Sequence, residues 1–386
     1  MYICTNLPNF VQKGYYCINF CKSLTKGRRG TPTDRRPDFA GSHRPAKSAG
    51  QNQPNDMDMN EWEKKIFGLK GGDSASFQAL ALEIFRFQYD NNPIYRLYTD
   101  TLGIPPASVQ AITEIPFLPV SFFKTHTVKT TDFIPEAVFE SSGTTGTRGS
   151  LHEVKDLGLY QRSFSAGFEL FYGPVADWCI IGLLPAYLER SNSSLVVMVD
   201  ALIRESGHPD SDFYLYEHAK LFELLTRLEA EGRKTLLIGV TFALLDFAES
   251  YSLPLRHTIV METGGMKGRR KEITRAELHD YLSSRLTVPV IHAEYGATEL
   301  LSQAYSDGHG LFTCPPWMQV LPRAEDDPLE TREQGEGILN IIDLANVYSC
   351  SFLATEDIGR IHPDGRFEVA GRVDNSDIRG CSLMVV

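Results

Sequence analysis

Long apolar runs and paired cysteines are both missing from this 386-residue chain. No stretch of about 18 consecutive apolar residues occurs, so the sequence predicts no membrane-spanning helix. The seven cysteines form no CxxC pair, which argues against a zinc cluster or a disulfide scaffold. Reduced thiols in a cytoplasmic protein are therefore the simplest expectation.

Basic residues are too few to balance the acidic ones. The chain has 38 Lys and Arg against 49 Asp and Glu, a formal net charge of −11. This balance disfavours nucleic acid as a partner, although a local basic site could still bind ATP. The length and the apolar content allow one large or two ordinary domains with a buried core.

Residues 1–56 differ in composition from the rest. They carry nine Lys and Arg against three Asp and Glu, and from residue 28 onward they are polar and rich in Pro, Gly and Ser. Such a composition predicts disorder. The segment could be a transit peptide, or the true start could be Met57 or Met59. We therefore predict a tail or over-called start at 1–56 and one folded domain at 57–386.

Hydroxyl residues and glycines are concentrated in one loop that follows a predicted strand at 135–140. The loop consists of Ser141, Ser142, Gly143, Thr144, Thr145 and Gly146, with Arg148 two positions later. Glycines let backbone N–H groups converge on an anion, and hydroxyls and arginine add donors for phosphate oxygens. No lysine follows Gly146, which excludes a P-loop of the GxxxxGKS type. By itself the loop could equally be a polar surface turn.

Apolar strands and helices alternate through the middle of the chain. Predicted helices cover 160–171, 218–232 and 276–286, and predicted strands cover 178–184, 235–240 and 288–292. This alternation predicts an α/β fold with a mainly parallel sheet and ligands at the carboxyl ends of its strands. From Gly335 onward, short strands are predicted at 337–343, 349–354, 360–362 and 366–369, with a hairpin turn at 363–365.

Four later segments, together with the hydroxyl-rich loop, resemble the ordered motifs of the adenylate-forming superfamily. These are the acyl- and aryl-CoA ligases that make acyl-AMP from a carboxylate and ATP. The segments are 261–268, the YGxTE-like 294–299, the TGD-like 355–360 and the GRxD-like 371–374. Glu356 stands where the TGD motif has glycine, which is a departure from the pattern.

Within that superfamily, the chain most resembles the bacterial acyl-protein synthetases of the LuxE type. The resemblance is carried by 116–124, 263–270 and 374–383, and it extends from about Met59 to the C-terminus. It implies mainly parallel sheets flanked by helices and a small β-rich C-terminal part. The lid domain of the ligases, with its catalytic lysine, is expected to be absent, which favours a protein thiol over CoA as the acceptor.

The resemblance also implies roles for individual residues. Glu299 would bind Mg²⁺, Asp357 and Arg372 would contact ribose, and Thr298 would contact phosphate. Adenine contacts are implied for Gly264, Gly265, Met266 and Tyr295, and catalytic phosphate contacts for Thr144 and Arg148. Simpler roles stay open: Glu299 could be an acid in the first turn of a helix, Asp357 a surface-turn residue and Arg372 an exposed strand-end residue.

Cys381 lies in the position where the resembled synthetases carry the cysteine that accepts the acyl group. Its neighbour Arg379 would lower the pKa of a nucleophilic thiol. A buried structural cysteine is the alternative, and it is the role expected for Cys179, Cys314 and Cys350. His152 and His292 are also expected to be structural.

The sequence thus predicts an enzyme that uses ATP and Mg²⁺ to activate a carboxylic acid and transfers the acyl group to a cysteine. The resemblance implies that this acid is a fatty acid. A partner such as an acyl reductase or carrier is expected. An acyl- or aryl-CoA ligase is the alternative enzyme, and a non-catalytic nucleotide-binding protein is the alternative of another class.

Overall fold

A computed structural model describes residues 59–141, 149–184, 192–264 and 273–373. The chain divides into two units, Met1–Trp62 and Glu63–Val386, and only 59–62 of the first unit are described. The predicted boundary at residue 57 lies outside the described residues. Among those residues, no helix is long and apolar enough to cross a membrane.

Nine α-helices are described. They are α1 Met59–Phe67, α2 Ser74–Asn91, α3 Pro93–Thr101, α4 Phe122–Thr125, α5 Leu157–Tyr172, α6 Ser194–Ser206, α7 His218–Ala230, α8 Thr241–Ser250 and α9 Arg275–Leu286. Asp73 caps α2, because its side chain accepts a hydrogen bond from Ser76 N at 3.1 Å. Asn92 caps α3 in the same way, with Pro93 in the first turn.

A six-stranded sheet forms the middle of the fold. Its strands are β4 Cys179–Leu183, β5 Asp212–Tyr214, β6 Thr235–Val240, β7 Thr258–Thr263, β8 His292–Tyr295 and β9 Ala304–Ser306. The order is β5-β4-β6-β7-β8-β9, and only the β8–β9 pair is antiparallel. Every residue of β4 and β6 is buried, as expected for apolar strands covered on both faces. The predicted parallel α/β core is confirmed.

The β8 strand begins later than its sequence predicts. The apolar run 288–292 suggested a strand there, but β8 covers His292–Tyr295. Pro289 has no N–H to donate to a neighbouring strand, so pairing starts only after it. Tyr295 is consequently the last residue of the strand instead of following it.

The C-terminal part of the described chain forms a second six-stranded sheet. Its strands are β1 Leu118–Pro119, β10 Leu311–Phe312, β11 Met318–Arg323, β12 Gly335–Asp343, β13 Phe352–Ile361 and β14 Phe367–Arg372. The order β10-β14-β13-β12-β11 is antiparallel throughout, and β1 pairs with β13 in parallel. The short strand β1 lies within 116–124, one of the segments that carry the family resemblance.

The prediction of two separate strands at 349–354 and 360–362 is wrong. Both belong to the single strand β13, so Asp357 lies within a strand and not beside a turn. β12 and β14 pair with it on its two sides, with a register shift next to Gly359. A side chain at Gly359 would clash with the carbonyl oxygen of Glu368, so this glycine permits close strand pairing.

A small antiparallel hairpin carries the hydroxyl-rich loop. β2 Ala137–Glu140 pairs with β3 Leu151–Val154, and Glu140 lies opposite Leu151. The loop connects these two strands. Its residues 142–148 lie outside the described part of the chain.

Candidate active site

The described candidate residues lie near the carboxyl ends of β7 and β8 and on β13 and β14, except for Ser141, which directly follows β2. They are Ser141, Gly264, Tyr295, Thr298, Glu299, Asp357 and Arg372. The other candidates lie outside the described residues; they are Ser142, Gly143, Thr144, Thr145, Gly146, Arg148, Gly265, Met266 and Cys381.

Three candidates from different motifs meet at the carboxylate of Asp357. The hydroxyl of Tyr295 donates to Asp357 Oδ2 at 2.7 Å. Arg372 Nε donates to Asp357 Oδ1, also at 2.7 Å. Each carboxylate oxygen keeps a second lone pair, so Asp357 can still accept hydrogen bonds from two ligand hydroxyls.

Strand pairing and aromatic packing explain why these three side chains meet. Asp357 and Arg372 are direct partners across β13 and β14. The Tyr295 ring packs edge-on against Phe312 and Phe367, with centroids 5.8 and 5.4 Å away. Asp357 is only 5% exposed, which rules out the alternative of an exposed surface turn.

Glu299 is a buried carboxylate with cationic neighbours. Burial raises the pKa of Glu299, while a hydrogen bond from Ser150 and the charges of Arg372 and Lys124 lower it. A buried carboxylate of this kind suits Mg²⁺, which takes one or two carboxylates and completes its shell with water and phosphate oxygens. The described residues contain no cluster of three or more His, Cys, Asp or Glu side chains that could hold a metal alone.

Buried polar groups hold the turn that carries Thr298 and Glu299. His152 Nδ1 lies 2.8 Å from the carbonyl oxygen of Thr298, and Asn346 Nδ2 donates to the carbonyl oxygen of Glu299 at 2.7 Å. Asp343 accepts the backbone N–H groups of residues 301 and 302 at 2.7 and 3.0 Å. These contacts fix the turn through its backbone and leave the Glu299 carboxylate for other partners.

His152 links this turn to the hydroxyl-rich loop. It belongs to β3, which follows the loop, and it is completely buried. Burial lowers the pKa of His152 to about 4, so the ring is neutral near pH 7. Its Nδ1 must then carry the proton in order to donate to Thr298. A neutral, fully buried ring fits a positioning role better than acid–base catalysis.

Ser141 and Ser150 close the base of the hydroxyl-rich loop. Ser141 N donates to Ser150 O at 3.0 Å, and Ser150 N donates to Ser141 Oγ at 2.8 Å. Gly149 is required beside them, because a Cβ there would lie 2.5 Å from Ser141 O. The Ser141 hydroxyl accepts one bond and keeps its own proton for another partner.

Gly264 follows β7 with a backbone that favours glycine. Its φ is +64°, and its carbonyl oxygen accepts a hydrogen bond from Thr241 Oγ1 at 2.6 Å. Thr241 follows β6 directly. This hydrogen bond joins the carboxyl ends of the adjacent parallel strands β6 and β7, and ligands bind at the carboxyl ends of strands in such folds.

Two buried acids near the carboxyl ends of β7 and β8 were not assigned roles from the sequence. Glu262 is paired with Arg275, whose Nε lies 3.2 Å from Oε1, and His279 Nε2 lies 3.7 Å from the same oxygen. Glu294 accepts a hydrogen bond from Thr263, and burial, reinforced by the Glu262 charge, raises its pKa to about 7. For Glu262, the signal in the sequence was an acid near the end of the otherwise largely apolar strand β7; Glu294 lies in the short polar strand β8 and had no such signal.

Asp343 and Asn346, which hold the Glu299 turn, also went unnoticed in the sequence. Both are completely buried, although neither lies in a recognisable motif. The only local signal for Asp343 is that a charged residue ends the largely apolar second half of β12. Asn346 has no local signal in the sequence.

The described cysteines are poor candidates for an acyl acceptor. Burial raises the pKa of Cys179 to about 11 and that of Cys350 to about 12. Burial also raises the pKa of Cys314. Since the thiolate is the nucleophile, all three side chains are largely unreactive thiols near pH 7.

Comparison with known proteins identifies related sequences. The sequence profile of the family described as "Acyl-protein synthetase, LuxE" matches residues 70–386. The chain is also 26% identical over 326 residues to the long-chain-fatty-acid–luciferin-component ligase of Vibrio harveyi. That match covers 78% of this chain and 84% of the relative.

Similar solved structures are adenylate-forming enzymes. ATP-bound MatB from Rhodopseudomonas palustris is 19% identical with a TM-score of 0.47, over 63% of this chain and 50% of that one. The long-chain-fatty-acid-CoA ligase FadD1 from Archaeoglobus fulgidus is 15% identical with a TM-score of 0.44, over 61% and 51%. The chain spans about half the length of these solved proteins.

The family expected from the ordered motifs is confirmed by the profile match, which covers most of the chain. The α/β fold class is confirmed as well. This protein belongs to the acyl-protein synthetase family LuxE, whose members are ligases of the adenylate-forming type.

Proposed function

We propose that this protein uses ATP to convert a carboxylic acid into acyl-AMP and then transfers the acyl group to a cysteine thiol. Membership of the acyl-protein synthetase family supports both steps. The Vibrio harveyi relative is named as a ligase of long-chain fatty acid, and we extend that substrate class to this chain.

The main structural support for this proposal is the contact of Asp357 with both Tyr295 and Arg372. Asp357 receives one hydrogen bond from each of the other two, and its remaining lone pairs suit the vicinal hydroxyls of ribose. Burial strengthens such hydrogen bonds, because water does not compete for the carboxylate. Residues from three separate ATP-binding motifs of the resembled superfamily thereby form one contact site.

In the first step, a carboxylate oxygen of the acid attacks the α-phosphorus of ATP. A new O–P bond forms, the bond from the α-phosphorus to the bridging oxygen breaks, and pyrophosphate leaves. Glu299 would hold Mg²⁺, which when bound neutralises charge on the phosphates. Thr298, Thr144, Arg148 and the backbone N–H groups of 142–146 are proposed to stabilise the departing charge.

In the second step, the thiolate of Cys381 attacks the carbonyl carbon of acyl-AMP. A C–S bond forms, the C–O bond to phosphate breaks, and AMP leaves. The raised pKa values of Cys179 and Cys350 make these thiols poor alternatives. An acyl-accepting partner, such as a reductase or carrier protein, would then take the acyl group from the thioester.

The first step is tested by pyrophosphate exchange into ATP with short, long and aromatic acids. We expect exchange that depends on the acid and is strongest with long-chain acids. Glu299→Gln should slow it about 10²-fold, the scale of losing one contact that stabilises charge. The absence of exchange with every acid would contradict adenylation.

The second step is tested with radioactive acid and ATP in Cys381→Ser. We expect the variant to retain exchange and to lose the hydroxylamine-sensitive protein label, because a serine hydroxyl is a much weaker nucleophile than a thiolate. Cys314→Ser is the matched control and should keep the label. A wild type that is never labelled but forms acyl-CoA when CoA is added would instead be a CoA ligase.

A further inference from the structure

A cavity of about 360 Å³ opens at the amino ends of the parallel strands. The candidate active site lies at their carboxyl ends. It is built by the connections that enter β6, β7 and β8, namely residues 232–234, 255–257 and 288–290. β6 has six residues, so these two ends are separated by roughly 20 Å of strand. The cavity is thus distinct from the adenylation site.

The cavity lining is basic although the protein is acidic. Lys234, Arg256, His257 and His292 line it, and the lining contains no Asp or Glu. The net charge of the chain is −11. Lys234 and Arg256 carry permanent positive charges, and with no acid in the lining they make the local potential favourable for an anion. Burial lowers the pKa of His292, so this ring adds no charge near pH 7.

The two permanent cations of the cavity are not neutralised by carboxylates. Among the described residues, neither Lys234 nor Arg256 forms an ion pair with a carboxylate, and both are exposed. Lys234 Nζ lies 3.5 Å from the carbonyl oxygen of Tyr172. Glu229 contacts this loop through the backbone: its carboxylate accepts hydrogen bonds from the N–H groups of Arg256 at 2.7 Å and of His257 at 3.1 Å. Glu229 therefore fixes the loop and leaves the guanidinium available to a ligand.

The remaining lining is apolar and aromatic. Lys234 Nζ lies 4.3 Å from the ring centroid of Trp178, and Trp178 Nε1 donates to Tyr172 O at 3.2 Å, which fixes the indole. Val288 and Val290 line the cavity as well. A charged head could bind Lys234 and Arg256 while an apolar or aromatic body contacts these side chains.

We propose that this cavity binds a small organic anion with a phosphate or carboxylate head and an apolar or aromatic body. Its volume is near the lower limit of about 300 Å³ for small-molecule sites, which favours a metabolite over a macromolecule. Arg256 offers a bidentate fork to either head group, and Lys234 adds a point charge.

Isothermal titration calorimetry of the full chain tests this inference, with phenyl phosphate and benzoate as probes. A nonhydrolysable ATP analogue is present throughout to occupy the adenylation site. We expect saturable binding that depends on Lys234 and Arg256, which distinguishes it from binding of benzoate in the acid-substrate site, and the tighter probe identifies the head group. Lys234→Gln combined with Arg256→Gln should weaken binding about 10²-fold, since each lost charge-assisted contact contributes about tenfold.

Lys220→Gln combined with Arg332→Gln is the matched control, because it removes the same charge from exposed positions away from the cavity. It should bind the probes as the wild type does, and benzyl alcohol, which lacks the charge, should not bind saturably. Equal affinity in the two double variants, or no saturable binding by the wild type, would overturn the inference. Neither outcome depends on whether the protein adenylates an acid.

Discussion

Asp357 is the residue that brings the separate motifs together. Its carboxylate is buried and accepts from Tyr295 and Arg372, which lie on different strands of two sheets. Removing its charge weakens the hydrogen bond to Arg372, because a hydrogen bond between two ions is roughly twice as strong as one between neutral groups.

We expect Asp357→Asn to lower kcat/KM for ATP in pyrophosphate exchange by about 10- to 100-fold, the scale of losing a hydrogen bond to a charged group. Asp364→Asn is the matched control. Asp364 also pairs with an arginine, Arg366, at 2.7 Å, but the pair lies in an exposed hairpin turn. Similar exchange in both variants would argue against a role for Asp357 in binding ATP.

Folding changes the protonation of the Glu294 side chain. Its pKa is raised from 4.5 to about 7 by burial. Between these two values the folded protein keeps a proton that the unfolded chain has released. The native state binds more protons in this window, so the free energy of unfolding falls as the pH rises through it.

Glu294→Gln imitates the neutral acid. We therefore expect the Tm of this variant to decrease less than that of the wild type as the pH rises from 5 to 8. The relative gain at pH 8 should be about 1–4 °C, measured by thermal melting. Glu325→Gln removes an exposed acid and serves as the control. A parallel pH dependence in Glu294→Gln and the wild type would show that Glu294 titrates normally.

The hairpin of β2 and β3 connects the hydroxyl-rich loop to the rest of the site. Ser141 and Ser150 close the loop with two backbone-donated hydrogen bonds. Two residues further, His152 contacts the Thr298 carbonyl. The geometry of the loop base and that of the Glu299 turn are thus coupled through one short strand.

Gly149→Ala should disturb this coupling, because the new Cβ would lie 2.5 Å from Ser141 O. We expect a lower Tm and exchange reduced about tenfold or more, since small displacements of the proposed phosphate-binding groups would reduce catalysis strongly. Gly71→Ala is the control; a Cβ there meets nothing within 4 Å, so stability should stay equal or rise slightly. Normal exchange in Gly149→Ala would mean that the loop base tolerates movement.

At the scale of the whole molecule, polar contacts join the two six-stranded sheets beside the candidate site. Tyr295 of β8 bonds to Asp357 of β13. Arg275, at the start of α9, bonds to Glu262 of β7 at 3.2 Å and to the carbonyl oxygen of Val369 in β14 at 3.3 Å. The position of Arg372 therefore depends on how both sheets pack.

We expect a chain that begins at Met57 to melt cooperatively and to keep full exchange activity. Residues 1–56 lack the apolar periodicity of the later helices and differ from them in charge. Thermal melting and exchange of the shortened and full chains provide the measurement. Loss of the cooperative transition in the shortened chain would show that residues 1–56 contribute to the fold.

The sequence alone determined the family, the parallel core and, to within three residues, the bounds of the three predicted helices at 160–171, 218–232 and 276–286. Strands such as Thr235–Val240 are read directly from their apolar runs, because strands buried on both faces carry few polar residues. Ordered motifs pointed to Tyr295, Asp357 and Arg372 as candidate site residues, and the structure brings these three side chains together.

Only the tertiary structure decided which residues meet and which support them. The contact between Tyr295 and Asp357 spans 62 positions of sequence, and the contact between His152 and Thr298 spans 146; local patterns hold no information about such distances. The continuity of β13 was likewise decided by its two neighbouring strands. The raised pKa of Glu294 has the same origin, because burial is a property of the packed fold and not of the residue.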